Sequence, residues 1–192
     1  MTVRRSATGG RSSRAGRGFF DRPADQLARD LLGATLTVRF GKDVRSARIV
    51  ETEAYVRNDP ASHAFRGPTP RNRSMFSRPG TLYVYRIHQV VCANLVARRG
   101  EAVLVRAGAV KGLPPKAASG PGRLCRVLGI SREDDGEDVV SGRRVEVRPS
   151  VERVNAILVG RRVGIRNAVD RPLRYALMNE PAVSRVRLFS IG

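Results

Sequence analysis

Polar and apolar residues alternate in short runs along most of this chain, and the dominant period is two. "TLTVRF" (residues 35–40), "VRSARIVETEAYV" (44–56), "TLYVYRI" (81–87) and "AVLVRAGAV" (102–110) read as strands rich in β-branched and aromatic residues. "GKD" (41–43) joins the first two as a hairpin turn. Shorter strands are expected at "RRVEV" (143–147), "AILVGRRVGI" (156–165) and "LRYALM" (173–178). Helical spacing emerges in "FFDRPADQLARDLLGATL" (19–36): Asp21 can cap, Pro23 sits in the first turn, and Leu27, Leu31 and Leu32 recur until Gly33. "GPGRLCRVLGI" (120–130) predicts a Gly/Pro turn leading into a short helix. Strands in mixed order with helices between them indicate an α+β domain. Its sheet is expected to be curved and mainly antiparallel, a partly open barrel with peripheral helices.

Length agrees with that picture, since 192 residues suit one domain. Residues 1–18 carry five Arg, four Gly and no acid, which predicts a disordered basic tail ahead of a domain at 19–192. Charge then narrows the partners. Lys and Arg total 36 against 17 acids, a net of +19, which points to a polyanion such as DNA or RNA before an anionic membrane. No stretch of 18 apolar residues is present, and the N-terminus lacks the apolar core of a signal peptide. Two cysteines fit a reducing cytoplasm. Cys92, Cys125, His63 and His88 show no metal-ligand spacing, so neither a metal nor any other cofactor is expected. The acidic "EDDGED" (133–138) reads as an exposed loop facing away from the anionic partner.

Between Arg57 and Arg106 the chain holds nine Arg against Asp59 and Glu101, a local net of 9 − 2 = +7. Phe65, Phe76, Tyr83 and Tyr85 lie inside this stretch, Tyr55 just before it. Cations interleaved with aromatics can hold phosphates and stack bases, and the rigid turn "GPTPRNR" presents Arg71 and Arg73 as candidates for the DNA backbone. The same aromatics could instead fill a core, with the arginines as ordinary solvated charges. Into this positive field the sequence places "ETEAY" (51–55), whose alternation puts Glu51, Glu53 and Tyr55 on one face of a strand. On a solvent face these carboxylates pair with arginines. In a cleft for nucleic acid they repel the backbone and need a chemical reason to be there, such as activating a water.

The run "RIVETEAYVRNDPASHAFRGPTPRNRSMFSRPGTLYVYRI", followed by Asn94 and "AVLVRA", closely resembles the alkyladenine (3-methyladenine) DNA glycosylases, and the likeness continues through "GPGRLCRVLGI", "RRVGI" and "PLRYAL". The resemblance implies an enzyme that flips alkylated or deaminated purines out of duplex DNA and hydrolyses the N-glycosidic bond. By position, Glu53 matches the carboxylate that deprotonates the attacking water, and Arg106 the arginine that positions it. Tyr55, His63 and Tyr85 match the walls between which the base stacks, and Asn94 and Leu104 match further pocket walls. Glu51 matches a structural member of the motif. Where relatives carry a tyrosine wedge, this chain has His88, a smaller and more polar side chain. No lysine lies in the motif block, so strand-cleaving lyase chemistry is not expected. The implied partner is damaged double-stranded DNA, met by a monomer on the nucleoid. The alternatives are a non-catalytic nucleic-acid binder of the same fold or a basic ribosomal protein. Glu53 and Arg106 separate the first of these from an enzyme.

Overall fold

The computed structural model describes residues 13–152, 154, 156–184 and 189–190. Its elements in chain order are α1 (Arg17–Phe20), α2 (Ala24–Asp30), β1 (Thr35–Phe40), β2 (Asp43–Tyr55), β3 (Leu82–Ile87), β4 (Val90–Val96), β5 (Ala102–Ala109), α3 (Pro121–Leu128), β6 (Val145–Arg148), β7 (Ile157–Gly160), β8 (Arg174–Leu177) and β9 (Phe189–Ser190). The described strands form one sheet in the order β3-β4-β5-β2-β8-β7-β9, with β1 between β2 and β6, and every pairing is antiparallel. The expected α+β domain with a curved antiparallel sheet is what forms.

β2 organises the sheet because its 13 residues exceed what one partner can satisfy. Its first half pairs with β1 across the Gly41–Lys42 turn, where Gly41 has φ 59°. Its second half lies between β5 and β8. The sheet is apolar on both faces. Leu82, Val84, Ala93, Leu95, Val103 and Val105 point into the main core beside Leu124 and Leu128 of α3 and Leu27 and Ala28 of α2. Met75, Tyr83, Val96 and Ala102 form a smaller cluster on the opposite face. A fully buried Leu of this kind contributes about 1.5–3 kcal/mol. Gly108 lets α3 approach closely, since a Cβ there would stand 2.8 Å from the Ala47 Cβ and 3.0 Å from a Leu124 methyl.

Several boundaries differ from the sequence reading. Residues expected in the tail are packed where they are described: Ala15 is buried and donates its amide to Val147 at 2.8 Å, Arg14 pairs with Glu146, and Arg17 pairs with Asp138. Residues 1–12 of that expected tail lie outside the described residues. Asp21 does not cap α2. It closes α1, and Pro23 precedes Ala24 as the first residue outside α2. β4 had no prediction, because a strand buried on both faces loses the alternation that marks half-buried ones. The strand expected over 156–165 stops at Gly160, after which the chain turns toward the concave face.

The acidic loop is also different from expectation. It covers the β3 edge: Leu82 donates to the Glu137 carbonyl at 2.7 Å, Gly136 donates back at 2.8 Å, and the Asp135 carboxylate accepts the Val84 amide at 2.9 Å. Asp134 is buried against Arg144, and Asp138 against Arg17 is held well below the ordinary carboxylate range by hydrogen bonds that outweigh its partial burial. These acids satisfy an exposed sheet edge rather than point away from a ligand.

Candidate active site

Pairing across the sheet sets the site's floor. Arg174, Glu53, Leu104, Asn94 and Tyr83 follow one another as register partners on β8, β2, β5, β4 and β3, so their side chains share the concave face. Two compensating irregularities sit beside this row. One extra residue in β2 after Ile49 is matched by one in β5, where Arg106 falls between the paired Val105 and Ala107. Bulges re-aim side chains. Here the result is a guanidinium directed between two carboxylates.

Glu51 and Glu53 are both fully buried. Glu51 is saturated: Oε1 accepts Arg106 Nε at 3.0 Å, Arg174 Nε at 2.7 Å and the Ser184 hydroxyl at 3.0 Å, while Oε2 accepts the Ser184 amide at 2.7 Å. Glu53 has fewer partners. Oε1 accepts the Val163 amide at 2.8 Å and lies 3.3 Å from Arg106 Nη1, and Oε2 accepts the Tyr55 hydroxyl at 3.2 Å. Burial raises the Glu53 carboxyl above its ordinary range, although Arg106, the Val163 amide and Arg174 all pull it down. Burial also disfavours a charged Arg106, but Glu53 and Glu51 outweigh it and hold the guanidinium more firmly protonated than usual.

Above this floor opens a cavity of about 370 Å³ walled by Tyr55, His63, Tyr85, Asn94, Leu104 and Arg106. Glu53 is not itself a wall. It lies directly behind Tyr55, Arg106 and Val163, which are. His63 is exposed to the opening, with Nδ1 2.9 Å from the Tyr83 hydroxyl and its ring 4.5 Å from Tyr85, inclined by 66°. Burial lowers the His63 pKa, so its neutral form prevails at neutral pH. Burial likewise pushes the Tyr83 phenol up to about 12 and raises Tyr55 and Tyr85 further, which keeps all three rings neutral. Asn94 donates Nδ2 to the Tyr83 carbonyl at 3.0 Å, which fixes the amide and leaves Oδ1 as its available acceptor.

The remaining sequence candidates sit at the rim. A second opening of about 660 Å³ adjoins the first across His63 and Tyr85, and Arg71, Arg66, Arg86 and Arg132 line it. Arg73 is exposed but begins a separate turn (Arg73–Phe76) and lines neither opening. His88 is exposed at the β3–β4 turn with φ 51°, outside the cavity. Its neighbours Ile87 and Val90 line the cavity and are 48% and 43% exposed. Arg86 clamps this tip, donating Nε to the His88 carbonyl at 2.7 Å and Nη2 to Gln89 at 2.5 Å.

Six residues of the site escaped sequence reading. Asn72 is buried and ties its loop together through the His63 and Gly67 carbonyls and the Thr69 amide. Arg174 and Ser184 saturate Glu51, and an arginine inside the apolar run "LRYAL" was the available signal for a buried partner. Val163 belongs to a segment read as strand. Asp59 and Arg162 form a buried pair beneath Tyr55.

Comparison with known proteins points to one family. A family model described as Methylpurine-DNA glycosylase matches residues 18–181. Relatives provisionally named 3-methyladenine DNA glycosylase are similar along most of their length. The one from Methanocella arvoryzae is 42% identical over 88% of this chain and 94% of its own. That from Agrobacterium fabrum is 43% identical over 87% and 90%, and that from Rhizobium etli 38% over 88% of each.

Proposed function

The chain belongs to the methylpurine-DNA glycosylase family, and from its site we propose a monofunctional repair glycosylase that excises alkylated or deaminated purines from duplex DNA. The observation that carries this reading is a fully buried carboxylate, Glu53, placed behind an aromatic cavity on a chain of net charge +19. A binding module gains nothing from a charge that repels phosphate and costs desolvation.

In this reading the cations collect the DNA backbone, with Arg71 and Arg73 among them, and the target nucleotide turns out of the stack into the cavity. Tyr55, His63 and Tyr85 hold the base. Stacking of this kind is worth about 1–3 kcal/mol per base and offsets extrusion. Asn94 and Leu104 bound the far edge of the base, where the Asn94 side chain obstructs a 2-amino group such as guanine carries. The β3–β4 turn, with His88 at its tip and Ile87 and Val90 beside it, enters the space the base has left. A water reaching Glu53 Oε2 replaces the Tyr55 hydroxyl contact, gives its proton to the carboxylate and attacks C1′ as the base departs. Arg106 orients that water and Glu53 together. A raised carboxyl is a better proton acceptor than an ordinary one, and general-base assistance is worth about 10²–10⁴-fold. Among the described residues no lysine lines the cavity, so in this reading the product is an intact abasic site.

The direct test is incubation with duplexes carrying 3-methyladenine, 7-methylguanine, hypoxanthine or ethenoadenine, followed by cleavage with and without alkali. Strand breaks that depend on both lesion and alkali are expected. Breaks without alkali would show lyase chemistry, and none with any lesion would leave a binding protein.

A further inference from the structure

Asp59 and Arg162 are both buried and take no part in the chemistry above. Their side chains meet in a two-point pair, Nη1 on Oδ2 and Nη2 on Oδ1, the second at 3.0 Å. Around this pair three parts of the site converge. Arg162 Nη1 also donates to the Ala54 carbonyl at 3.0 Å, and the guanidinium lies 4.8 Å from the centre of the Tyr55 ring. The next residue along, Val163, gives its amide to Glu53. Asp59 in turn starts the loop that carries His63: its carboxylate accepts the Ala61 amide at 3.1 Å and its carbonyl the Ser62 amide at 2.8 Å.

We propose that Arg162 and Asp59 are a positioning pair for catalysis, fixing through one guanidinium the amide that holds the general base, the Tyr55 wall and the root of the His63 loop. A buried pair is a poor way to gain stability alone, because desolvation consumes most of the attraction. Its retention under an active-site wall fits a demand for geometry, which Arg supplies better than Lys through its planar fork. The proposal rests on reading Glu53 as the general base. The groups facing Glu53 are Glu51 and Tyr55 on β2, Arg106 on β5, Arg174 on β8 and Cys92 on β4, with the Val163 amide. Of these, Arg162 touches Tyr55 and adjoins Val163. If the pair is lost, the amide drifts from Oε1 and Glu53 holds its proton more tightly.

The test is single-turnover excision of hypoxanthine from a duplex, followed across the acidic limb of the pH–rate profile. Parent, Arg162→Lys, Asp59→Asn, the charge-free double variant Arg162→Gln/Asp59→Asn and the distant Arg144→Gln are compared, with thermal melts of each. Each variant of the pair should lose about 10- to 100-fold in rate near neutral pH, the scale of a small misplacement. Its acidic limb should move to higher pH. Arg144→Gln, which breaks a remote buried contact with Asp134, should lower the melting temperature and leave the limb in place. The double variant leaves no unpaired buried charge, so it folds where a single one fails. Lowered melting temperatures with an unmoved limb would make the pair a structural brace and overturn the proposal. Recovery of the parent limb in Arg162→Lys would do the same, because charge alone would then suffice. An active Glu53→Gln would instead defeat the general-base reading beneath it.

Discussion

Two carboxylates two residues apart on β2, both without solvent exposure, differ because their partners differ. Glu51 takes two guanidiniums and both polar groups of Ser184, whereas Glu53 shares one guanidinium and receives an amide and a phenol. Glu53 is therefore protonated more readily than an ordinary carboxyl, and excision should fall on acidification through a midpoint above the ordinary value. A pH–rate profile of single-turnover excision locates it. The same shift has a stability sign. With the folded-state pKa above the unfolded one, Glu53 favours folding when protonated, below its unfolded value, and that contribution is lost as pH rises through the folded value. Gln mimics the protonated form. Glu53→Gln should thus melt at a higher temperature than the parent at neutral pH, the gap closing toward pH 4, as melts at both pH values would show. Arg106→Ala strips a partner from both carboxylates, so it should lower the excision rate and cost about 3–5 kcal/mol by denaturant unfolding. Glu53 and Arg106 were legible because charged residues in strand-forming runs are unusual and the motif around them is long. Arg162 and Arg174 were not, since their partners Asp59 and Glu51 lie 103 and 123 positions away in the chain.

Among the elements, the β3–β4 hairpin combines features that separate its parts. His88 has positive φ at a two-residue turn, a conformation His tolerates better than most residues but not freely. Arg86 holds that turn, while Ile87 and Val90 pair across the strands and stay exposed despite their size. Branched apolar side chains at a tip suit insertion between base steps. With His88 as the wedge, His88→Tyr should raise excision of well-stacked hypoxanthine more than of weakly paired 3-methyladenine, read by single-turnover rates on both. Equal rates for His88→Tyr, His88→Ala and the parent would remove His88 from that role. β1, the first half of β2 and the tip of β3 keep partly exposed positions and were readable from alternation, whereas β5, buried over seven of its eight residues, was readable through its β-branched residues. β4, apolar on both faces, and the segment after Gly160, whose residues turn in toward Glu53, carry no such period.

For the molecule as a whole, a net charge of +19 governs encounter rather than chemistry. DNA affinity should fall steeply with salt, and Arg71→Ala should flatten the slope of log affinity against log salt by about one contact's worth. Fluorescence anisotropy across a salt series measures it, and an unchanged slope would take Arg71 off the backbone. The acids that a charge count sets against this field are mostly structural: Asp134, Asp135 and Asp138 satisfy the β3 edge and nearby arginines, and Glu146 pairs with Arg14, Arg39 and Arg148. Glu53 is the exception. Gln at that position can still accept the Val163 amide and face Tyr55, so the cavity keeps its shape while losing its proton acceptor. Binding of a hypoxanthine duplex by Glu53→Gln should therefore match the parent, with single-turnover base release reduced by about 10²-fold or more. Release at the parental rate with binding intact would contradict a carboxylate-activated water.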